Sequence, residues 1–465
     1  MSDSELHIDR RSRVALHQQL YDRIRSAIEA GVLKPGERLA SARSLAAQLD
    51  VARGTIDAAF SRLAGEGYVV TRGPRGTLVA PDFRKARLSP RTVAVRANAP
   101  ASPGAPLPLQ LGLPSLDLFP RKLWARLAAR EARMLAGANL AYPDPQGLAA
   151  LRRAVAAYLA VSRGVTASPD DILITAGYQG ALNFTVTLAL DPGDPVWFEE
   201  PGYRIARTAL LARGLKLAPV PVDGEGLMVG DGIRRCPGAR LAVVTPAHQS
   251  PLGVTLSLPR RQALLDWAQT RDAWIFEDDY DSEFHYSGHK PPALKSIDAM
   301  DRVFYAGSFS KTLFPGLRLG YLVVPRRFGA QAALLCQQGD RGHSVLDQAV
   351  AAAFLGEGHF ARHLRRMRLA YRARRDALTD ALRKQFGDRV IIAPGPGGLH
   401  TLAHFNNLPD DAAAAARAAS LGLQPVPLSA LFIGPAVRQG LLMSFTNVAE
   451  KDAPAIVRRL ARALE

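Results

Sequence analysis

The sequence predicts a multidomain chain: a small unit of three helices and a two-stranded wing, then a large α/β unit built on a mostly parallel sheet. Three observations carry this. Residues 1–80 show short apolar stripes at helical spacing. Residues 81–108, PDFRKARLSPRTVAVRANAPASPGAPLP, are dense in Pro, Ala and Arg without a sustained period, the composition of a fairly stiff linker. Across residues 109–465, apolar strand-like runs alternate with helical stretches, the pattern of a parallel sheet with helices packed on it.

In the first unit Leu16, Leu20, Ile24 and Ile28 mark one face of a helix that stops near Gly31. After the turn Lys34-Pro35-Gly36, Ser41 to Leu49 makes a second helix. Asp50-Val51-Ala52 turns into a third, with Ile56, Ala59, Phe60 and Leu63 as its buried stripe. Tyr68–Thr71 and Thr77–Val79 then read as strands around Arg72-Gly73-Pro74-Arg75-Gly76. Three helices and a basic wing make a winged helix-turn-helix. Arg43 and Arg53 each open a helix that this geometry aims at DNA, with Thr55 in the same first turn as Arg53. Arg72, Arg75 and the backbone at Gly76 sit on the wing, suited to phosphates, while first-turn residues suit base edges.

Charge alone does not make that case. The chain of 465 residues carries 59 Lys+Arg against 42 Asp+Glu, a net +17. Residues 1–80 hold 12 basic and 9 acidic groups (+3), residues 81–110 hold 5 and 1 (+4), and the remaining +10 lies beyond. Double-stranded DNA is therefore expected as a partner from the placed arginines rather than from bulk charge. A 48% hydrophobic, 22% charged composition excludes wholesale disorder. No apolar run reaches the roughly 18 residues of a spanning helix, and the polar start lacks a signal-peptide core. Two cysteines exclude a disulfide scaffold and a four-cysteine zinc site. A cytoplasmic protein without membrane partner or bound metal is expected.

In the large unit five strands end in chemistry-bearing segments. Asp171–Thr175 leads into Ala176-Gly177-Tyr178-Gln179-Gly180, where small residues let backbone N–H groups and a helix N-terminus meet a phosphate. Val196–Glu199 ends at Glu200-Pro201-Gly202-Tyr203, and Leu241–Thr245 at His248-Gln249. Trp274–Glu277 continues into Asp278-Asp279-Tyr280-Asp281, and Arg302–Ala306 precedes Ser308 and Lys311. Singly, these are a surface lysine, a solvated acidic loop and a packing tyrosine. Together they are the groups that pyridoxal phosphate requires: an amine to hold its aldehyde as a Schiff base and a carboxylate to keep its ring nitrogen protonated. Strand alternation points Asp278 and Tyr280 to the same side, so Tyr280 can reach the phenolic oxygen. Ser308 and Arg318 are spaced to reach the phosphate.

Two resemblances follow from these residues. LHQQLYDRIRSAIEAGVLKPGERLASARSLAAQLDVARGTIDAAFSRLAGEGYVVTRGPRGTLVA resembles the GntR-type winged helix, departing only at Ala40 and Ala52. TAGYQGAL, EEPGY, TPAHQSPLG, FEDDYDSEF and GSFSKTLFPGLRLGY resemble the signatures of fold type I aminotransferases, with LFPRKLW and YPDPQG upstream. Their fusion is similar to the MocR/GabR-type regulators over essentially the whole chain. The resemblance implies an α/β fold type I aminotransferase-like domain over 109–465, with a smaller C-terminal α+β subdomain. It implies Lys311 as the Schiff-base lysine, Asp278 as the ring-nitrogen partner, Tyr280 as the phenolate partner and Tyr203 as the residue stacked on the ring. Gly177, Tyr178, Gln179, Ser308 and Arg318 are implied for the phosphate cup, and Tyr142 for the cup of a neighbouring subunit in a homodimer.

One departure bears on function. Where the enzymes carry a carboxylate-gripping arginine, this chain reads Leu442-Met443-Ser444-Phe445, with Leu442 at the arginine's place. Bidentate grip of an α-carboxylate is lost there. Arg438 is close in sequence but on the wrong side of the strand register. A pyridoxal-phosphate-dependent regulator is therefore expected, its effector being pyridoxal phosphate itself or an amine lacking an ordinary α-carboxylate. A working aminotransferase carrying a regulatory DNA-binding domain is the alternative; efficient turnover of amino acids is not expected. Arg362, Arg365, Arg366, Arg368, Arg372, Arg374 and Arg375 read as a solvated helix face beside Leu364, Met367 and Tyr371. His248, His400 and His404 read as packing or ligand-contact residues, since no carboxylate or cysteine shares their spacing.

Overall fold

A computed structural model of the chain describes residues 8–10, 12, 14–73, 76–82, 105–286, 288, 290–339, 342–393, 395 and 397–465. The chain forms two compact units, Met1–Pro103 and Gly104–Glu465. Most of the stretch read as a linker, residues 83–104, lies outside the described residues.

In the first unit, α1 (Leu16–Glu29), α2 (Ala42–Leu49) and α3 (Arg53–Gly65) precede an antiparallel pair, β1 (Val69–Thr71) and β2 (Thr77–Val79). Leu20, Ile24 and Ile28 of the α1 stripe are buried with Tyr21 in a core shared with Leu45, Ile56, Phe60 and Leu63. Leu16, at the helix start, is only half-buried. The Ser44 N–H donates to Ser41 Oγ at 3.1 Å and so caps α2. Asp50, left-handed at φ 49°, ends α2 and turns the chain into α3.

The second unit opens with α4 (Arg121–Met134) and α5 (Ala149–Arg163). Then come β3 (Ile172–Thr175), α6 (Gly177–Ala189), β4 (Pro195–Glu200), α7 (Arg204–Ala212), β5 (Lys216–Asp223), β6 (Gly226–Leu227) and α8 (Val229–Arg235). β7 (Leu241–Val244), α9 (Leu258–Thr270), β8 (Trp274–Asp279), β9 (Val303–Ser308) and β10 (Gly320–Val323) complete one sheet in the order β3-β10-β9-β8-β7-β4-β5-β6. β9, β8, β7, β4 and β5 run parallel, while β10 is antiparallel to both β9 and β3. Both faces are covered, so alternate side chains enter different cores: Phe276 and Phe304 on one face, Ile275 and Val303 on the other.

After α10 (Gly329–Gln338) and α11 (Val345–Gly356), the long α12 (His359–Phe386) leads to a smaller α+β part. There β11 (Val390–Ile392), β12 (His400–Phe405), β13 (Val426–Pro427) and β14 (Leu441–Ser444) form an antiparallel sheet in the order β11-β12-β14-β13, with α13 (Asp411–Ser420) and α14 (Ala453–Leu464). Among the described residues, no helix is long and apolar enough to cross a membrane.

The run of arginines on α12 is not a uniformly solvated face. Arg374 is buried, donates to Asp117 at 2.6 Å and to Ser115 Oγ at 2.7 Å, and also bonds the Thr446 carbonyl. Arg368 donates to the Glu283 carbonyl at 2.7 Å, and the Arg375 guanidinium lies 4.8 Å from the centre of the Tyr286 ring. Arg374 projects toward the 115–117 loop, where the buried Ser115 hydroxyl and the exposed Asp117 carboxylate accept its hydrogen bonds. Leu364, Met367 and Tyr371 are buried as their spacing implies.

Candidate functional site

The carboxyl ends of β8 and β9 and the start of α6 bring the functional groups together. Consecutive residues of β8 face opposite ways. Asp279 turns to Arg163, 2.6 Å away, and to the Tyr305 hydroxyl at 2.5 Å; both members of the ion pair are almost wholly buried. Burial works against the Asp279 charge, but the Arg163 guanidinium holds its carboxyl below the usual range. Asp278, also buried, turns the other way, and among the described residues nothing donates a hydrogen bond to its carboxyl. Burial pushes its carboxyl well up, the nearby Asp279 charge adds to this, and Lys311 opposes it. The Lys311 amine is pushed down by burial, with Asp278 and Asp281 pulling the other way. Lys311 Nζ donates to the Gly112 carbonyl at 2.8 Å. A buried acid and a half-buried amine thus sit within electrostatic reach without a hydrogen bond between them.

Aromatic rings line the same place. Tyr178 and Tyr203 meet edge to face at 5.7 Å, and Tyr178 meets Phe276 at 5.8 Å. Burial, then Asp278, push the Tyr203 hydroxyl up to about 12. The Tyr178 ring is spent on this packing, so its contribution to an anion cradle is its backbone. The Tyr280 hydroxyl lies 2.9 Å from His248 Nδ1, which is itself 3.1 Å from Asp281 Oδ2. Gln249 is turned inward: its Nε2 donates to Glu199 at 3.1 Å and to the carbonyls of Pro201 and Ser250 at 3.0 and 2.9 Å. Its amide protons are used before reaching the site, and the buried Glu199 carboxyl they serve is pushed up to about 7.

Beside this cluster is a cradle suited to an anion. α6 starts at Gly177 with φ +71° and no side chain caps its first N–H groups. A Cβ at Gly177 would stand 3.9 Å from both Arg318 Nη1 and Ser310 Oγ, and one at Gly320 would stand 2.8 Å from Gly177 Cα. Only a glycine lets β10 pass this close to the helix start. Arg318, left-handed at φ 52°, is exposed and donates to the Ala176 carbonyl at 2.9 Å. Ser308 Oγ accepts from the Ser310 N–H at 3.2 Å, and Gln179 is exposed on the first turn of α6. Free N–H groups, a guanidinium and hydroxyls, next to an amine and an unsatisfied carboxyl, fit the phosphate, aldehyde and ring nitrogen of pyridoxal phosphate.

The neighbouring small sheet is different. Leu442, 1% exposed, pairs with Leu402 and Val426 and packs with Leu428, Leu431 and Phe432. The place of a carboxylate-binding arginine is filled by hydrocarbon. Arg438 is exposed ahead of β14 and Tyr142 is 82% exposed. Sequence reading gave His248 as a packing or ligand-contact residue without a partner; Asp281, 33 residues along the chain, lies against it.

In the first unit, Arg43 and Arg53 are exposed in the first turns of α2 and α3, Arg53 lying 3.4 Å from Asp57. Thr55 is half-buried one turn into α3, and its N–H donates to the Ala52 carbonyl at 2.9 Å. Arg72 is exposed on the wing, where its N–H donates to the Gly76 carbonyl at 3.0 Å. Arg75 lies outside the described residues.

Residues 117–425 match the family model described as aminotransferase class I and II, and residues 16–79 that of bacterial regulatory proteins, gntR family. The chain is 36% identical to the probable rhizopine catabolism regulatory protein MocR of Rhizobium meliloti, over 96% of this chain and 93% of that one. It is 34% identical to the HTH-type transcriptional regulator TauR of Rhodobacter capsulatus, over 97% and 96%. Among solved structures, the kynurenine aminotransferase of Pyrococcus horikoshii in complex with PMP superposes with a TM-score of 0.69 at 30% identity, over 77% of this chain and 90% of that one.

Proposed function

Since the chain belongs to the MocR-type transcriptional regulators, DNA-binding proteins that join a gntR-family winged helix to an aminotransferase-like domain for pyridoxal phosphate, we propose that a ligand at Lys311 governs operator affinity. The observation that carries this reading is the buried Asp278 carboxyl, left without a hydrogen bond beside the Lys311 amine and the uncapped start of α6. Bound pyridoxal phosphate supplies an aldehyde that condenses with amines. Lys311 would be the amine that holds it, Asp278 would accept a hydrogen bond from the protonated ring nitrogen, and Tyr280 would meet the phenolic oxygen. Tyr203 covers the ring face. The α6 N-terminus at Gly177, Tyr178 and Gln179, with Ser308 and Arg318, holds the phosphate.

The protein acts in the cytoplasm as a homodimer, the exposed Tyr142 reaching the partner's cup. The effector, pyridoxal phosphate or an amine without an ordinary α-carboxylate, prefers one dimer state. Its affinity and operator affinity are therefore coupled reciprocally. Arg43, Arg53 and Thr55 face the operator, with Arg72, Arg75 and the Gly76 backbone on its phosphates. The segment 81–108 joins the reader to the sensor.

Lys311→Ala is expected to abolish the visible absorption band of the covalently held cofactor; a band that persists overturns the Lys311 assignment. Arg53→Ala is expected to cost about 1–3 kcal/mol of specific operator binding, and Arg72→Ala to lower the salt slope by about 1. Titrations at several salt concentrations, with and without pyridoxal phosphate, read both. The intact cofactor cluster favours one second reading, a working aminotransferase. Steady-state release of a keto acid from amino donors would replace the regulator-only reading with it.

A further inference from the structure

A tyrosine hydroxyl has one proton and can donate it once. The Tyr280 oxygen has the site containing Asp278 and Lys311 on one side and His248 behind it, with the Ser250 side chain also within hydrogen-bonding reach. His248 is only 6% exposed, and its Nδ1 is shared between the Tyr280 hydroxyl at 2.9 Å and Asp281 Oδ2 at 3.1 Å. An ionised carboxylate only accepts hydrogen bonds, so the contact with Asp281 places the imidazole proton on Nδ1. The Tyr280 oxygen then accepts from the histidine, and its own proton points into the site. The ring is fitted to this place. A Cβ at Gly398 (φ +88°) would fall 2.1 Å from His248 Cε1, and one at Gly253 would fall 3.2 Å from Nε2.

We infer that His248 is a positioning residue for the cofactor: anchored by Asp281, it donates from Nδ1 to the Tyr280 oxygen and reserves the Tyr280 proton for the phenolic oxygen of pyridoxal phosphate. This rests on the placement of Tyr280 given above. Gln249 strengthens the case, because its amide protons are used on Glu199 and two carbonyls and are not available for that donation. The other charged or titratable groups facing His248 come from three elements. His285 follows β8, and the ring of His400 on β12 is centred 5.5 Å away. Arg375, Asp376, Asp380 and Arg383 of α12 stand across a cavity of about 500 Å³ that the far edge of the imidazole lines.

The test is the pH titration of the visible absorption of the full-length, cofactor-loaded protein, with the dissociation constant for pyridoxal phosphate as a second readout. Asn at 248 keeps an N–H near the Nδ1 position, whereas Gln places its amide near Nε2. H248Q is expected to raise the spectroscopic midpoint by about one unit, a tenfold shift in proton affinity, and to weaken cofactor binding. H248N is expected to stay within a few tenths of a unit of the native protein. D281N, which leaves the ring untouched, is expected to move the midpoint in the same direction as H248Q and decides the matter if H248Q does not fold. Equal shifts for Asn and Gln, or none for Gln and D281N, overturn the inference. Y280F separates the two levels: if it shifts the midpoint while H248Q and D281N do not, His248 is excused and Tyr280 stands. If Y280F leaves the midpoint in place, the Tyr280 placement falls and the inference with it.

Discussion

The end of the large sheet and the neighbouring strand β14 of the small sheet treat charge in opposite ways. Around Lys311 the chain keeps buried ionisable groups, Asp278, Asp281, Glu199 and the Asp279–Arg163 pair, although burying each is unfavourable. Around the Leu442 side chain a leucine cluster fills the space instead. The contrast teaches that selection on the cofactor and on a substrate's carboxylate are separable. On the proposed assignment the cofactor's groups remain and the carboxylate's partner is gone, which suits a sensor better than an amino-acid aminotransferase.

The strongest way to break this contrast is to put a guanidinium back. Leu442→Arg would bury an unpaired charge among Leu402, Leu428 and Phe432, with an expected cost of about 5 kcal/mol in unfolding free energy. A folded, stable L442R that releases keto acid from amino donors would mean the apolar filling is incidental. Next, Arg163→Met leaves Asp279 buried without its partner, and a loss of about 3–5 kcal/mol is expected in denaturant unfolding. A near-zero cost would mean that the charges of β8 are less dependent on pairing than their burial implies.

The smallest effect concerns Glu199. Its folded value of about 7 lies above its ordinary 4.5 because of burial, so the folded chain holds the proton more tightly. Its contribution to stability is therefore full below about pH 4.5 and is lost as pH rises to about 7, a change of about 3 kcal/mol. Glu199→Gln is expected to reduce the dependence of unfolding free energy on pH across that window, leaving the slope due to Glu277, which burial also raises to about 7, and to the raised Asp278 carboxyl. An unchanged slope in E199Q would show that Glu199 is not a titrating member of the cluster.

Much of this was legible in the sequence, for a physical reason: local patterns fix local structure. The Leu20–Ile24–Ile28 stripe, the helix read from Ser41 to Leu49 and the parallel strands read at Val196–Glu199 and Trp274–Glu277 are all local, and all appear, the strands running on to Glu200 and Asp279. β5 was not anticipated because LAPVPV carries two prolines. They are tolerated near the sheet edge, where β6 covers only Val222 and Asp223. β10 was hidden because it is four residues long and antiparallel, so no helix–strand alternation announces it. Asp279 could be assigned to the face opposite Asp278, but not to Arg163, which lies 116 residues away. Likewise Arg374 looked like surface until the 115–117 loop folded over it.

The place of β10 also has a bearing on how the protein is made. β3 touches the rest of its sheet only through β10, which begins at Gly320, so a strand translated by residue 175 waits for nearly 150 residues before it has a neighbour. At ribosomal speeds of about 5–20 residues per second, that interval is on the order of 10–30 s. During it the hydrophobic run Ile172-Leu173-Ile174 has no sheet to join, and the close approach of Gly320 to Gly177 does not yet exist. The nascent chain therefore has no anion cradle to offer until about two thirds of it has been made, after the winged helix has long since emerged.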